Sequence, residues 1–281
     1  LICREDISQE EYQYWFDTNP RLNSNGAVEK INLRQKLNPG IVGTNDLFRS
    51  LIWYEYPDGT KSKREEIVVK ICKPFAERGP GRQHRISQIN AAFYDEIRIN
   101  NLIRSTNIEG VIRPLGGMRA GRLPVLKMEF IKGRLLSENI TTLLPKEERL
   151  RRLAQMAYLA NTISQLHYYQ VSHMDLKPSN VILCQDKTHP NYQKILLFDF
   201  GYSNSRLRDT VSEFGGQFTP MYNAPEQALQ TENLTPWVDY YSFGIMLHEY
   251  LTGLPLFPRA MEIFISGNYT ITEEYMEHLR A

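Results

Sequence analysis

The period of the hydrophobic pattern changes once along this chain, and that change limits the folds open to it. From Val28 to Cys72 the apolar residues fall in strand-like segments. Lys30–Leu37 alternates, Leu47–Tyr56 is rich in aromatic and β-branched residues, and Glu66–Cys72 returns after the turn Pro57-Asp58-Gly59-Thr60. Alternation at a period of two belongs to strands with one buried face, and Pro-Asp-Gly between two such runs sets up a hairpin. Ser87–Ile103 has helical spacing, and Val125–Phe130 reads as a further buried strand. Beyond Ser137 the pattern becomes mostly helical: Lys146–Tyr169 is a long amphipathic stretch opened by Pro145, and Trp237–Leu251 is an apolar helix. Only two short strands, Val181–Cys184 and Ile195–Phe198, interrupt it. A β-rich first part and a mainly helical second part, dividing near Lys132–Gly133, predict two unequal lobes. The first thirty residues are polar and predict a short helix around Gln9–Phe16 followed by a loop.

Composition removes several function classes. A chain of 281 residues admits one large domain or two small ones, and 42% hydrophobic with 23% charged residues excludes wholesale disorder. With 33 Lys+Arg against 32 Asp+Glu the net charge is +1, which argues against a chain built to coat nucleic acid or anionic membrane. The longest apolar runs, such as Val181–Cys184, are far too short to cross a bilayer. Cys3, Cys72 and Cys184 are too few and too scattered for a disulfide framework or a Cys-rich metal site, which fits a reducing, cytoplasmic compartment. The chain begins at Leu1 with no charged-then-apolar leader, so no signal peptide is expected and the sequence reads as an excerpt of something longer.

The densest chemistry lies between His173 and Gly201. The chain reads His173-Met174-Asp175-Leu176-Lys177-Pro178-Ser179-Asn180, then Val181–Cys184, then Ile195–Phe198, then Asp199-Phe200-Gly201. Asn180 immediately precedes one short apolar strand and Asp199 immediately follows the next. If the two strands pair antiparallel, both residues lie at the open end of the hairpin. An amide oxygen and a carboxylate side by side suit a hard, oxygen-seeking ion such as Mg²⁺. Asp175 and Lys177 lie in the loop entering the same end, where a carboxylate could accept a hydroxyl proton and an ammonium could neutralise phosphate charge. Either tripeptide alone reads as an ordinary turn beside a strand; their order around a hairpin is what carries the signal.

These residues resemble the eukaryotic-like protein kinase family, whose signatures include a catalytic loop H-R-D-L-x-x-x-N and the tripeptide D-F-G. The resemblance implies that Asp175 orients and deprotonates the attacking hydroxyl, that Lys177 contacts the transferred phosphoryl group, and that Asn180 and Asp199 hold Mg²⁺ on the phosphates of ATP. Ile67-Val68-Val69-Lys70 would supply the lysine that pairs with phosphate oxygens and with a helix carboxylate. Glu96 is the candidate partner, because Ala92, Ile99 and Ile103 share its stripe, and the adjacent Asp95 stays open as the alternative. Asn38-Pro39-Gly40-Ile41-Val42-Gly43 is similar to the phosphate-cradling glycine loop through Gly40 and Gly43, with Asn38 in place of the first glycine. Met128-Glu129-Phe130-Ile131 resembles the hinge, where adenine would bond main-chain groups of Glu129 and Ile131 beside Met128.

Downstream, Thr219-Pro220-Met221-Tyr222-Asn223-Ala224-Pro225-Glu226 resembles the family segment T-P-x-Y-x-A-P-E, and Asp239-Tyr240-Tyr241-Ser242-Phe243-Gly244 resembles D-x-W-S-x-G. In the family that aspartate braces the catalytic-loop backbone, so Asp239 is expected to be structural. Met174 stands where the family has an arginine that reads a phosphate on the activation loop, which implies activity independent of such a phosphate. The hydroxyls of Ser203, Ser205, Thr210 and Ser212 are accordingly expected in a solvated loop. The family also adds several helices after the D-x-W-S-x-G segment, so the final helices are expected to be cut or reduced.

The fold class expected from all this is α+β, a two-lobe kinase-like fold with a β-rich N-lobe and a mainly helical C-lobe. Residues 1–27 are expected as an N-terminal extension and 28–281 as the kinase domain, the N-lobe covering about 28–131 and the C-lobe about 132–281. The implied activity is ATP- and Mg²⁺-dependent phosphoryl transfer to Ser or Thr hydroxyls of protein substrates, with no nucleic-acid partner and no membrane segment. Lys177 and Thr219 resemble Ser/Thr rather than Tyr kinases, and small-molecule phosphotransferases usually lack the T-P-x-Y-x-A-P-E segment. The rival reading is a pseudokinase, a scaffold that keeps the fold without turnover.

Overall fold

The computed structural model describes residues 7–38, 45–73, 82–121, 123–142, 144–205, 221–228 and 234–258. The chain divides into two units, one of Leu1–Ser105 with Arg113–Phe130 and one of Thr106–Ile112 with Ile131–Ala281. The first carries helix α1 (Gln9–Thr18), strands β1 (Arg21–Leu22), β2 (Val28–Lys36), β3 (Asn45–Glu55) and β4 (Glu65–Cys72), helix α2 (Arg82–Thr106) and strands β5 (Pro114–Ala120) and β6 (Leu123–Glu129). Its six strands form an antiparallel sheet in the order β1-β2-β3-β4-β6-β5. The predicted strands and the Tyr56–Thr60 turn are present, closed by the Tyr56 N–H on the Thr60 carbonyl at 2.9 Å.

α1 starts where its sequence says it should. Ser8 Oγ accepts from the Glu11 N–H at 3.2 Å while Glu11 Oε2 accepts from the Ser8 N–H at 3.1 Å, a reciprocal cap that satisfies two donors the first turn leaves open. Tyr12 and Phe16, one turn apart, are then buried in a cluster with Ile31, Leu33, Phe48, Ile67, Val69 and Ile71. The β3–β4 register pairs Phe48 with Val69 and Ser50 with Ile67, which puts these apolar side chains on one face of the sheet, and pairs Leu47 with Lys70, which puts the lysine on the other. The helix also closes an edge. β1 covers β2 only at Val28 and Glu29. Beyond that point Gln13 Oε1 accepts from the Leu33 N–H, and the amides of Gln13 and Gln9 donate to the carbonyls of Ile31 and Leu33, each at 2.9 Å. Side-chain amides thus take the places of a neighbouring strand.

Tyr12 also donates its hydroxyl to Asp46 Oδ2 at 2.9 Å. Lys36 and Lys73 reach the other oxygen of this buried carboxylate at 2.7 and 3.1 Å. Tyr12→Phe removes a hydrogen bond to a charged group while the lysines still neutralise Asp46. The expected cost is about 1.5 kcal/mol, read as a lower urea midpoint with an unchanged slope.

β5 has no counterpart among the strands read from the sequence, and Pro114, Gly116 and Gly117 are poor strand formers. Each has a structural reason to be there. β5 lies at the sheet's edge, where proline is tolerated. Gly116 sits at φ 107° beside a register shift, and a Cβ at Gly117 would overlap Ile97 of α2.

The second unit holds β7 (Gly133–Leu135), α3 (Lys146–Tyr168), β8 (Val171–Ser172), β9 (Val181–Cys184), β10 (Ile195–Leu197), β11 (Asn204–Ser205), α4 (Pro225–Ala228) and α5 (Trp237–Thr252). β10, β9 and β7 form an antiparallel sheet in that order, and β11 pairs with β8. α3 buries Met156, Leu159, Ile163 and Leu166 at helical spacing. It also buries Arg152, whose guanidinium stacks 4.5 Å from the Tyr250 ring centroid and donates at 2.7 Å to the carbonyls of Tyr250 and Asn139. A guanidinium hydrogen-bonded through all three of its nitrogens is what makes that burial tolerable. The final helices expected to be cut or reduced lie outside the described residues. Among the described residues no helix is long and apolar enough to cross a membrane.

Candidate active site

In the first unit Lys70 projects from β4 and Glu96 from α2, and Lys70 Nζ lies 2.7 Å from Glu96 Oε1 with both side chains buried. Asp95, the open alternative, pairs instead with Arg98 at 3.2 Å. The two charges leave water together, and the contact between them offsets part of that desolvation. Glu129 closes β6, its carboxylate accepting from the Arg113 N–H at 2.7 Å, and Met128 is buried one residue earlier, opposite Val68 of β4. Ile131 is buried and belongs to the second unit. Gly40 and Gly43 lie outside the described residues. Asn38, in place of the first glycine, is hydrogen-bonded across the neck of that loop: its amide donates to the Asn45 carbonyl at 3.0 Å and its oxygen accepts from the Leu47 N–H at 2.9 Å.

In the second unit β9 and β10 pair antiparallel, Leu197 opposite Val181, and the Phe198 N–H donates to the Asn180 carbonyl at 3.0 Å. Asn180 and Asp199 therefore share the open end of the hairpin. Asp199 has φ 66°, a left-handed conformation unusual for a non-glycine residue. Asp175 is buried, with Lys177 Nζ 2.7 Å from its Oδ2. Asn180 Nδ2 donates to the Asp175 carbonyl at 2.9 Å and to its Oδ2 at 3.2 Å. With the amide nitrogen turned to Asp175, the side-chain oxygen Oδ1 of Asn180 is the atom available as a ligand. Burial pushes the Asp175 carboxyl above the usual carboxylate range; the Lys177 ammonium opposes that shift and the Asp199 charge adds to it.

The donor set at this end of the hairpin is one carboxylate and one amide oxygen. Among the described residues no group of three or more His, Cys, Asp or Glu could hold a metal by itself. Two protein oxygens completed by phosphate and water is the arrangement Mg²⁺ tolerates, so these residues fit a metal shared with a nucleotide.

The loop before Asp175 is held from below. Asp239, at the start of α5, accepts from the His173 N–H through Oδ2 and the Met174 N–H through Oδ1, both at 2.8 Å. His167 Nε2 reaches the same Oδ2 at 2.8 Å. His173 Nδ1 accepts from the Asp175 N–H at 3.3 Å, and its Nε2 lies 3.1 Å from the Phe198 carbonyl, so one tautomer with the proton on Nε2 serves both contacts. The Met174 side chain packs in an apolar cluster with Ala224 and Val238, flanked by Leu234 and Tyr241. Tyr222 donates to Glu249 at 2.6 Å, and burial with that carboxylate raises its phenol well above the ordinary value. His167 had no distinguishing mark in the sequence: it is one polar residue in the last turn of a helix. One expectation is corrected. Ser203 is buried rather than solvated, and its hydroxyl donates to the His173 carbonyl at 3.2 Å. Thr210, Ser212, Thr219 and Pro220, and the Ser205 side chain, lie outside the described residues.

The protein kinase domain profile matches residues 60–277. Serine/threonine-protein kinase atg1 of Dictyostelium discoideum is 34% identical over 191 residues, 68% of this chain and 26% of that protein. Serine/threonine-protein kinase A of Synechocystis is 33% identical over 59% of this chain and 33% of that protein. Mitogen-activated protein kinase 15 of Caenorhabditis elegans is 29% identical over 84% of this chain and 46% of that protein. The chain thus spans less than half the length of these relatives. A crystal structure of a kinase domain superposes with a TM-score of 0.57 at 18% identity, covering 84% of this chain and 67% of that one, which shows a shared fold. The fold is the α+β kinase-like one, with a β-rich N-lobe and a mainly helical C-lobe. Since the matched segment takes in most of the sequence, the chain belongs to the eukaryotic-like protein kinase family.

Proposed function

We propose that this chain is a cytoplasmic protein kinase that transfers the γ-phosphoryl group of ATP to Ser or Thr hydroxyls of protein substrates. The observation that carries the reading is the placement of Asp175 between Lys177 and Asn180, beside the hairpin end that presents Asp199. Phosphoryl transfer asks a protein for position and charge neutralisation more than for covalent chemistry. Asp175 is placed to orient a hydroxyl and take its proton, and Lys177 to offset charge on the moving phosphoryl group. Lys70, oriented by Glu96, would hold phosphate oxygens. Asn180 and Asp199 would hold Mg²⁺, which when bound neutralises phosphate charge. The main-chain groups of Glu129 and Ile131 are the proposed adenine contacts, and the backbone of Gly40 and Gly43 the proposed phosphate cradle. Lys177, Thr219 and the Ser/Thr kinases among the relatives favour Ser/Thr over Tyr acceptors.

Regulation by an activation-loop phosphate read beside Asp175 is not part of this proposal. Its usual reader is replaced by Met174, and the apolar surroundings of that side chain would not hold a phosphate. The test is thermal stabilisation by Mg-ATP followed by radiolabel transfer to a generic basic protein. The wild type is expected to be stabilised and to transfer label, with Asp199→Asn at background. No transfer by the wild type above the Asp199→Asn level would make the chain a nucleotide-binding scaffold instead.

A further inference from the structure

Met174, next to Asp175, sits at φ 67°, a conformation that a side-chain-bearing residue keeps only when its surroundings enforce it. The enforcement is complete at the level of the backbone: both N–H groups and both carbonyls of His173 and Met174 are bonded to side chains. Asp239 takes the two N–H groups. Ser203 Oγ donates to the His173 carbonyl at 3.2 Å, and Gln227 Nε2 donates to the Met174 carbonyl at 2.8 Å. Gln227 is buried on α4, and its Oε1 accepts from the Ala224 N–H at 3.1 Å, which fixes which end of the amide faces Met174.

We infer that Gln227, seconded by Ser203, is a positioning residue that sets the catalytic-loop geometry at Asp175 through uncharged hydrogen bonds. The inference rests on the kinase reading above and adds a residue to it. The two carbonyl contacts join the loop to segments on either side of residues 206–220: Ser203 lies before them and Gln227 after. A link made of a hydroxyl and a carboxamide carries no net charge, so it needs no phosphate and is insensitive to salt. Met174, sealed in its apolar cluster against Ala224, brings α4 close enough for the Gln227 amide to reach.

The test uses Gln227→Met, which fills the space without a donor, and Gln227→Glu, which keeps an acceptor for Ala224 and loses the donor to Met174. Ser203→Ala, a single-atom deletion, is the third variant should either fail to fold. Expected is a kcat about 10- to 100-fold lower, as for a catalytic group displaced by about 1 Å, with the Kd for Mg-ATP within about twofold of wild type as in any loss of transition-state stabilisation alone. Amide hydrogen exchange in residues 171–177 should speed up at least about tenfold, with α3 unchanged, as local opening predicts. Unchanged exchange in that segment would overturn the inference whether or not the wild type transfers phosphate. Unchanged kcat in folded Gln227→Met and Gln227→Glu, with an active wild type, would overturn it while leaving the kinase reading intact. An inactive wild type whose variants still show faster exchange would sink the kinase reading and keep the brace.

Discussion

Asp175→Asn is expected to lower kcat by about a thousandfold, within the range general-base catalysis supplies, while the Kd for Mg-ATP stays near that of the wild type. The substitution keeps the volume and one acceptor oxygen but removes the charge that takes the proton and pairs with Lys177. The pH profile gives a second, independent readout. Burial raises the Asp175 pKa, and only the carboxylate can act as base, so the acid limb of kcat/KM should lie above the usual carboxylate range. The Lys177 ammonium holds the shift down, so Lys177→Met should move the limb further up. The sign for stability follows. A folded pKa above the unfolded one means the native state binds this proton more tightly, so the buried carboxylate costs stability at neutral pH. That cost is relieved as pH falls through the raised pKa. An Asp175→Asn variant with wild-type kcat would remove Asp175 from the chemistry.

Asp239→Ala is expected to damage both folding and turnover. Its carboxylate serves the His173 N–H, the Met174 N–H and His167. Truncation leaves two buried N–H donors unsatisfied at about 1–3 kcal/mol each, so unfolding free energy should drop by about 3–5 kcal/mol in total. Asp239→Asn retains one acceptor oxygen and should fall between. A chemical-denaturation midpoint measured beside kcat separates the two effects. Should Asp239→Ala leave the midpoint where it was, the loop would have to be held by something else.

Much of the fold could be read from periodicity because the strongest elements bury one clean stripe. α3 shows Met156, Leu159, Ile163 and Leu166, and β9 and β10 are short apolar runs bounded by turn residues. β5 escaped because its glycines answer to α2 passing over it, a tertiary requirement with no local signature. The site divides the same way. Residues grouped within a few positions, from His173 to Asn180 and at Asp199, were visible as a cluster. Lys70 pointed to a carboxylate partner, and only the 2.7 Å contact separates Glu96 from Asp95. His167, Ser203 and Gln227 act through contacts tens of residues away in sequence, and Arg152 is buried against helix and strand rules alike because four partners satisfy it. Single polar residues of that kind carry no pattern.

The packing of α1 and β3 bears on how this chain can be cut. A fragment beginning at residue 60, where the kinase profile begins, would discard α1 and β1–β3. It would bare the β4 backbone that β3 now pairs and the apolar face that Tyr12 and Phe16 now cover. An apolar strand left with one open edge is a template for other copies of itself, so such a fragment would precipitate rather than report on catalysis.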